Sequence, residues 1–230
     1  MLRISRYIII LSSFAVCFCI NIFPQEKNGK KAEEEIEIAL YQGLKVEVDA
    51  FSLAMSAFNK ETYSFEGNVQ VNLKEKYFPT LEMGLAGADK TSINDYSFKT
   101  TGLFTRIGVD YNLLKPNKPD TKIHKYFLIG VRYGFSHFSY DLSNITIDNG
   151  YWGDGIIRDF NDVKTTKHWF EVVAGLRVEV VKNIYMGWNV RLKMRLGDEK
   201  EGEVSPWFIP GIGIKSTGNW GFNYTIGYKF

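Results

Sequence analysis

Residues 184–196 read IYMGWNVRLKMRL. Ile184, Met186, Trp188, Val190, Leu192, Met194 and Leu196 alternate without a break with Gly187, Asn189, Arg191, Lys193 and Arg195. Successive side chains of a strand point to opposite sides, so a period of two means extended chain with one apolar and one polar face. The C-terminus repeats the pattern: Trp220, Phe222, Tyr224, Ile226, Tyr228 and Phe230 alternate with Gly221, Asn223, Thr225, Gly227 and Lys229.

Six further segments follow the same rule. Leu44, Val46 and Val48 alternate with Lys45, Glu47 and Asp49; from Phe51 the apolar parity switches to Phe51, Leu53 and Met55, as a bulge within one strand would produce. Phe65, Val69, Val71 and Leu73 alternate with Glu66, Asn68, Gln70 and Asn72, and Leu81, Met83 and Leu85 with Glu82 and Gly84. Leu103, Ile107, Val109 and Tyr111 oppose Arg106, Gly108 and Asp110. Phe127 to Phe135 oppose Gly130, Arg132 and Gly134, and Phe170 to Val180 oppose Glu171, Gly175, Arg177 and Glu179.

Eight long amphipathic strands predict an all-β fold, an eight-stranded antiparallel up-and-down barrel. The connections expected after the third, fifth and seventh strands, residues 88–101, 142–167 and 197–217, outrun those after the second, fourth and sixth, which is the asymmetry of transmembrane barrels. The glycines decide which face is out. Gly84, Gly108, Gly130, Gly134, Gly175, Gly187, Gly221 and Gly227 share the polar parity with the charged residues. A water-facing sheet gains nothing from so much glycine, whereas a cramped interior uses it to seat long charged side chains. The aromatic face is then turned to lipid, with Trp220, Phe222, Tyr224, Tyr228 and Phe230 contributing to interfacial girdles. The interior is expected to hold a charge network of Glu82, Arg106, Asp110, Arg132, Glu171, Arg177, Glu179, Arg191 and Arg195.

The first 25 residues carry Arg3 and Arg6 and then an apolar run from Tyr7 to Ile20, the build of a secretory signal peptide. Residues 26–43 are read as a charged periplasmic tether and 44–230 as the barrel. Both cysteines, Cys17 and Cys19, fall in the leader, which leaves the mature chain without disulfides or cysteine metal sites. Of 28 Lys and Arg and 26 Asp and Glu, Arg3 and Arg6 also fall in the leader, so the mature chain is formally neutral. That argues against nucleic acid as a partner.

The last strand, WGFNYTIGYKF with its terminal Phe230, resembles the C-terminal strand of Gram-negative outer-membrane barrels. The stretches YQGLKVEVDAF, NLKEKYFPTLEMG and IPGIGIKSTGNWGFNYTIGYKF resemble an uncharacterised Bacteroidetes-type outer-membrane β-barrel family. The resemblance implies an outer-membrane location, contact with outer-membrane lipid and recognition of the last strand by the outer-membrane insertion machinery. It implies no catalytic residues, cofactor or metal.

The expected role is structural or at the cell surface, with an unidentified extracellular partner. Two alternatives stand beside it: a narrow channel or small-solute binder, and a lipid-modifying enzyme built on Ser136, His137, Ser139, Asp141, His168 and Glu171. No G-x-S-x-G, H-E-x-x-H or phosphate-binding loop occurs. Asp148, Asp154, Asp159 and Asp162 surround Tyr151 and Trp152 in the longest connection, without the spacing of an EF-hand.

Overall fold

The computed structural model describes residues 39–59, 61–92, 95–115, 123–147, 156–197, 205–214 and 218–230. The expected leader and the tether up to residue 38 lie outside the described residues. The elements are β1 (Tyr41–Asp49), α1 (Ala50–Phe58), β2 (Thr62–Leu73), β3 (Tyr77–Thr91), β4 (Ser97–Asn112), β5 (Lys125–Ile147), β6 (Ile156–Val181), β7 (Ile184–Leu196), β8 (Phe208–Ile209), β9 (Gly213–Ile214) and β10 (Gly218–Lys229). The eight long strands close into an antiparallel barrel in the order β1-β10-β7-β6-β5-β4-β3-β2, while β8 and β9 form a separate two-stranded sheet. The all-β up-and-down architecture expected from the alternation is present, and β10 completes it by pairing Tyr228 with Val46 of β1.

The faces divide as the parity requires. Leu81, Met83, Leu103, Ile107, Val131, Phe170, Val172, Phe222 and Tyr228 lie exposed on the exterior, and Glu82, Arg106, Asp110, Arg132, Glu171, Arg177 and Arg191 lie buried inside. Eight strands enclose a bore narrow enough for side chains to fill. Interior glycines make that filling possible: a Cβ on Gly130 would stand 2.0 Å from Asp110 Oδ1, and one on Gly134 would stand 2.1 Å from the Trp169 ring.

Polarity inverts along the wall. On β4 the exterior runs Tyr111, Val109, Ile107, Leu103 and then Thr101 and Lys99, while the interior runs Asp110, Arg106 and then Phe104 and Phe98. On β5 the exterior passes from Ile129, Val131, Tyr133 and Phe135 to His137, Ser139 and Asp141, and the interior from Arg132 to Phe138, Tyr140 and Leu142. On β6 the exterior passes from Val172 and Phe170 to Thr166 and Lys164. One end of the barrel therefore has a polar exterior over an apolar core, and its middle has an apolar exterior over a charged core.

Three differences from the sequence reading have physical causes. The parity switch at Phe51 is not a bulge. Asp49 accepts from the backbone N–H of Phe51 at 3.1 Å and from the Ser52 hydroxyl, capping the nine-residue helix α1. Second, residues 142–147 and 156–167, expected as loop, extend β5 and β6. They looked irregular because Leu142, Ile145, Phe160 and Val163 pack on the inner face and the ladder shifts register on either side of Leu142. Third, the described part of the 197–217 connection turns inward: Ile209 and Ile212 are buried with Phe98, Phe104, Phe138, Tyr140 and Trp169. The barrel also begins slightly earlier than residue 44, since Tyr41 already pairs with Leu73 of β2.

Candidate functional site

The charged interior is assembled by register. Glu82 and Arg106 are direct partners across β3 and β4, Arg132 and Glu171 across β5 and β6, and alternation points all four at the barrel axis. Glu82 is the hub. It accepts from Arg106 Nη1 at 3.0 Å, Arg132 Nε at 3.0 Å and Arg191 Nη1 at 2.9 Å. Glu171 lies 2.8 Å from Arg106 Nε and accepts from Arg191 Nη1 at 2.9 Å and Trp169 Nε1 at 2.7 Å. Asp110 accepts from Arg132 Nη2 and Gln70 Nε2, each at 2.9 Å, and Glu66 accepts from Arg106 Nη1 at 2.9 Å. Each guanidinium serves at least two carboxylates, the condition under which buried charge is tolerable. The space left among Asp49, Glu66, Asn68, Glu82, Arg191 and Asn223 is about 10 Å³, enough for one water at most.

Both ends of this layer are closed by apolar groups. Toward the β6–β7 turn, Phe78, Tyr126, Leu128 and Tyr185 form a buried cluster. Lys45 reaches into it, its Nζ 4.4 Å from the Tyr185 ring centre and 5.1 Å from that of Tyr126, with Glu47 at 4.0 Å. At the other end the β8–β9 hairpin sits over the network. Arg106 Nη2 and Lys193 Nζ both donate to the Gly211 carbonyl, at 2.9 and 2.8 Å.

A family model described as a domain of unknown function, DUF6048, matches residues 4–230. The chain belongs to that family. No curated protein matches it. In this DUF6048 chain the residues that sequence reasoning singled out fall into distinct groups. Glu82, Arg106, Asp110, Arg132, Glu171 and Arg191 meet in one network. Arg177 stands apart from them and pairs with Glu47, Nε to Oε1 at 2.7 Å. Glu179 lies at the turn, accepting from the Asn183 backbone at 2.9 Å and meeting His124 Nδ1. Arg195 lies above the network, opposite Trp169 in the β6–β7 ladder.

Sequence reasoning missed Glu47, Glu66, Gln70, Asn223 and Lys193, although each shares the inward parity of its own strand. Trp220, Phe222, Tyr224, Tyr228 and Phe230 all lie on the exterior, with Trp220 at 74% and Phe230 at 71% exposure. The residues considered for acyl chemistry are split by the wall. Ser136 points inward and donates to the Leu103 carbonyl at 2.9 Å. His137 points outward to Thr166 at 2.8 Å, and His168 bonds the Tyr133 hydroxyl on the exterior at 2.7 Å. Ser139 is on the outward parity with His137, and Asp141 accepts from the Asp162 backbone at 2.8 Å. Asp159 accepts from the Asn144 backbone at 2.8 Å; Asp148, Tyr151, Trp152 and Asp154 lie outside the described residues.

Proposed function

We propose that this chain spans the outer membrane as a closed barrel and serves there in a structural or cell-surface interaction role, with the β5–β6 extension and its apolar core forming the outward end. The observation that carries this reading is the inversion of polarity along β4, β5 and β6. In water, an apolar exterior over a charged interior puts both sets of groups in their unfavourable surroundings. Against hydrocarbon the same arrangement is the favourable one, because lipid takes the apolar face and the ion pairs stay away from it. The polar exterior over an apolar core then belongs where the wall leaves the bilayer.

Dimensions support the reading. From Trp220 to Phe230 the exterior of β10 is continuously apolar or aromatic, a height of about 25 Å at ~3.3 Å per residue and ~40° tilt, which matches the apolar band of such barrels. The exterior aromatics at its two ends suit the bilayer interfaces. The alternating exterior aromatics of β10 and the likeness to Bacteroidetes-type barrels support the same compartment and delivery by the outer-membrane insertion machinery. The tightly paired interior supports a role outside the bore, at the outer end. The test is to fractionate cells expressing the full chain and to compare unheated and boiled samples by gel electrophoresis. Recovery with the outer membrane and a heat-dependent change of mobility are expected; a soluble periplasmic protein without that change would overturn the proposal.

A further inference from the structure

The barrel wall is interrupted on one side. Pairing of β1 stops at Asp49 opposite Thr225 on β10 and at Val48 opposite Gly67 on β2. Beyond that level β10 continues to Gly218 and β2 to Thr62, each paired among the described residues on its far side alone, to β7 and β3. The helix α1 stands between them. A helix is ~10 Å across where a strand fills ~4.8 Å, and it cannot continue the ladder. Local contacts hold it instead: Ser56 Oγ donates to the Ser64 carbonyl at 3.0 Å and accepts from its N–H at 2.8 Å. On the other flank Phe51 meets Phe222 edge-on at 5.3 Å.

Beside the helix lies a cavity of about 380 Å³, within the ~300–1,000 Å³ of small-molecule sites. Its lining joins the two sides of the wall. Phe51, Met55, Trp220 and Phe222 are exposed residues of the apolar exterior, while Lys193 and Glu66 belong to the interior. Glu66 is held by Arg106 at 2.9 Å. Lys193 is different. Its ammonium donates to the carbonyls of Gly211 at 2.8 Å and Ile212 at 3.2 Å, and no carboxylate among the described residues lies within 4.0 Å of it. An ammonium has three donors, so among the described residues one donor is left without an acceptor and the charge without a directly paired carboxylate.

We infer that this gap binds a single-chain amphiphile with a carboxylate head, the head at Lys193 and the hydrocarbon chain between α1 and β10 along Phe51, Met55 and Phe222. A lone ammonium suits a monoanion, since the neighbouring guanidiniums are already committed to Glu66, Glu82 and Glu171. The apolar end of the cavity is continuous with the exterior band, so the chain enters sideways. The inference rests on the exterior band facing lipid.

The test uses the full-length protein folded in detergent micelles, where a failure of the site is separable from a failure of outer-membrane localisation. A diazirine-bearing dodecanoate is photoactivated and the labelled residues are mapped by mass spectrometry, with unlabelled dodecanoate and dodecanol as competitors. Saturable labelling is expected at Phe51, Met55 and Phe222, competed at least ~10-fold better by the acid than by the alcohol. Lys193→Met should abolish that preference while keeping the heat-dependent gel mobility. Met55→Trp, which fills the cavity from an exposed helical position, should abolish saturable labelling and serves if the lysine variant does not fold. Labelling spread evenly round the exterior to Leu103 and Ile107, or equal competition by dodecanol, would overturn the inference.

Discussion

Replacing Ile107 by Arg sets the lipid-facing reading against a water-soluble one. Ile107 lies on the exterior of β4, 61% exposed, between Thr105 and Val109 and level with the charged layer, since its neighbour Arg106 belongs to that layer. If the exterior meets hydrocarbon, Arg at this depth costs about 2–4 kcal/mol, roughly a 30- to 700-fold loss in the folding equilibrium at 1.4 kcal/mol per tenfold. If the exterior meets water, an exposed substitution of this kind stays within about 0.5 kcal/mol. Thr91→Arg is the matched control, because Thr91 is exposed at the far end of β3, beyond the apolar band. Both variants and the parent are folded into phosphatidylcholine vesicles, and urea midpoints are read from the heat-dependent mobility. Ile107→Arg should shift the midpoint strongly and Thr91→Arg hardly at all. Equal midpoints for the two variants would refute the claim that β4 crosses hydrocarbon at Ile107.

Glu82→Gln removes the carboxylate shared by Arg106, Arg132 and Arg191 and should cost about 3–5 kcal/mol in the same urea assay, as expected when one partner of a buried ion pair is lost; an unchanged midpoint would mean that the network contributes nothing. Deleting Phe230, which is 71% exposed on the exterior, should lower the outer-membrane level without changing transcript, and equal levels would remove the case for an insertion signal. Lys164→Cys on the β6 extension and Lys182→Cys at the β6–β7 turn should differ in labelling by a membrane-impermeant maleimide. The first is expected to react on intact cells and the second only after permeabilisation, and the reverse would invert the orientation.

Much of the fold was legible because a period of two allows few alternatives. Once Trp188, Val190 and Leu192 share a face, Asn189, Arg191 and Lys193 must share the other, and the same holds in every long strand. The interior network was legible only in outline. Parity says that Arg177 points inward, but its height along the axis, and hence its partner Glu47 rather than Glu82, depends on how far each strand is shifted against the next. Partners as remote as Arg106 and Gly211 leave no trace in local spacing. For Lys45, Glu47 and Asp49 the signal was present and unused: they occupy the inward parity of the first strand, as Glu82 does in the third.

Two changes of apolar parity look alike in the sequence and have unlike causes. After Asp49 the apolar residues move to Phe51, Leu53 and Met55 because the backbone itself changes, from strand to helix. The distinguishing marks are Asp49 as a capping residue and Ser52 with Ser56 four residues apart, which one helical face would bring together. After Ser136 the apolar residues move to Phe138 and Tyr140, yet the ladder runs on without a shift, from Phe135 opposite His168 to Tyr140 opposite Val163, and its register shifts only beyond that, on either side of Leu142. Here the backbone is constant and the surroundings change. On the lipid-facing reading, a strand that keeps its register while exchanging its apolar and polar faces meets a different solvent at each end, and the exchange marks a boundary that strand prediction alone discards as the start of a loop. The wall is interrupted by α1 on the opposite flank of the barrel, where β2 and β10 lack that long extension. The two devices divide the end of the barrel beyond the charged layer: β4, β5 and β6 carry the sheet onward, while among the described residues β2, α1 and β10 leave the cavity beside Lys193.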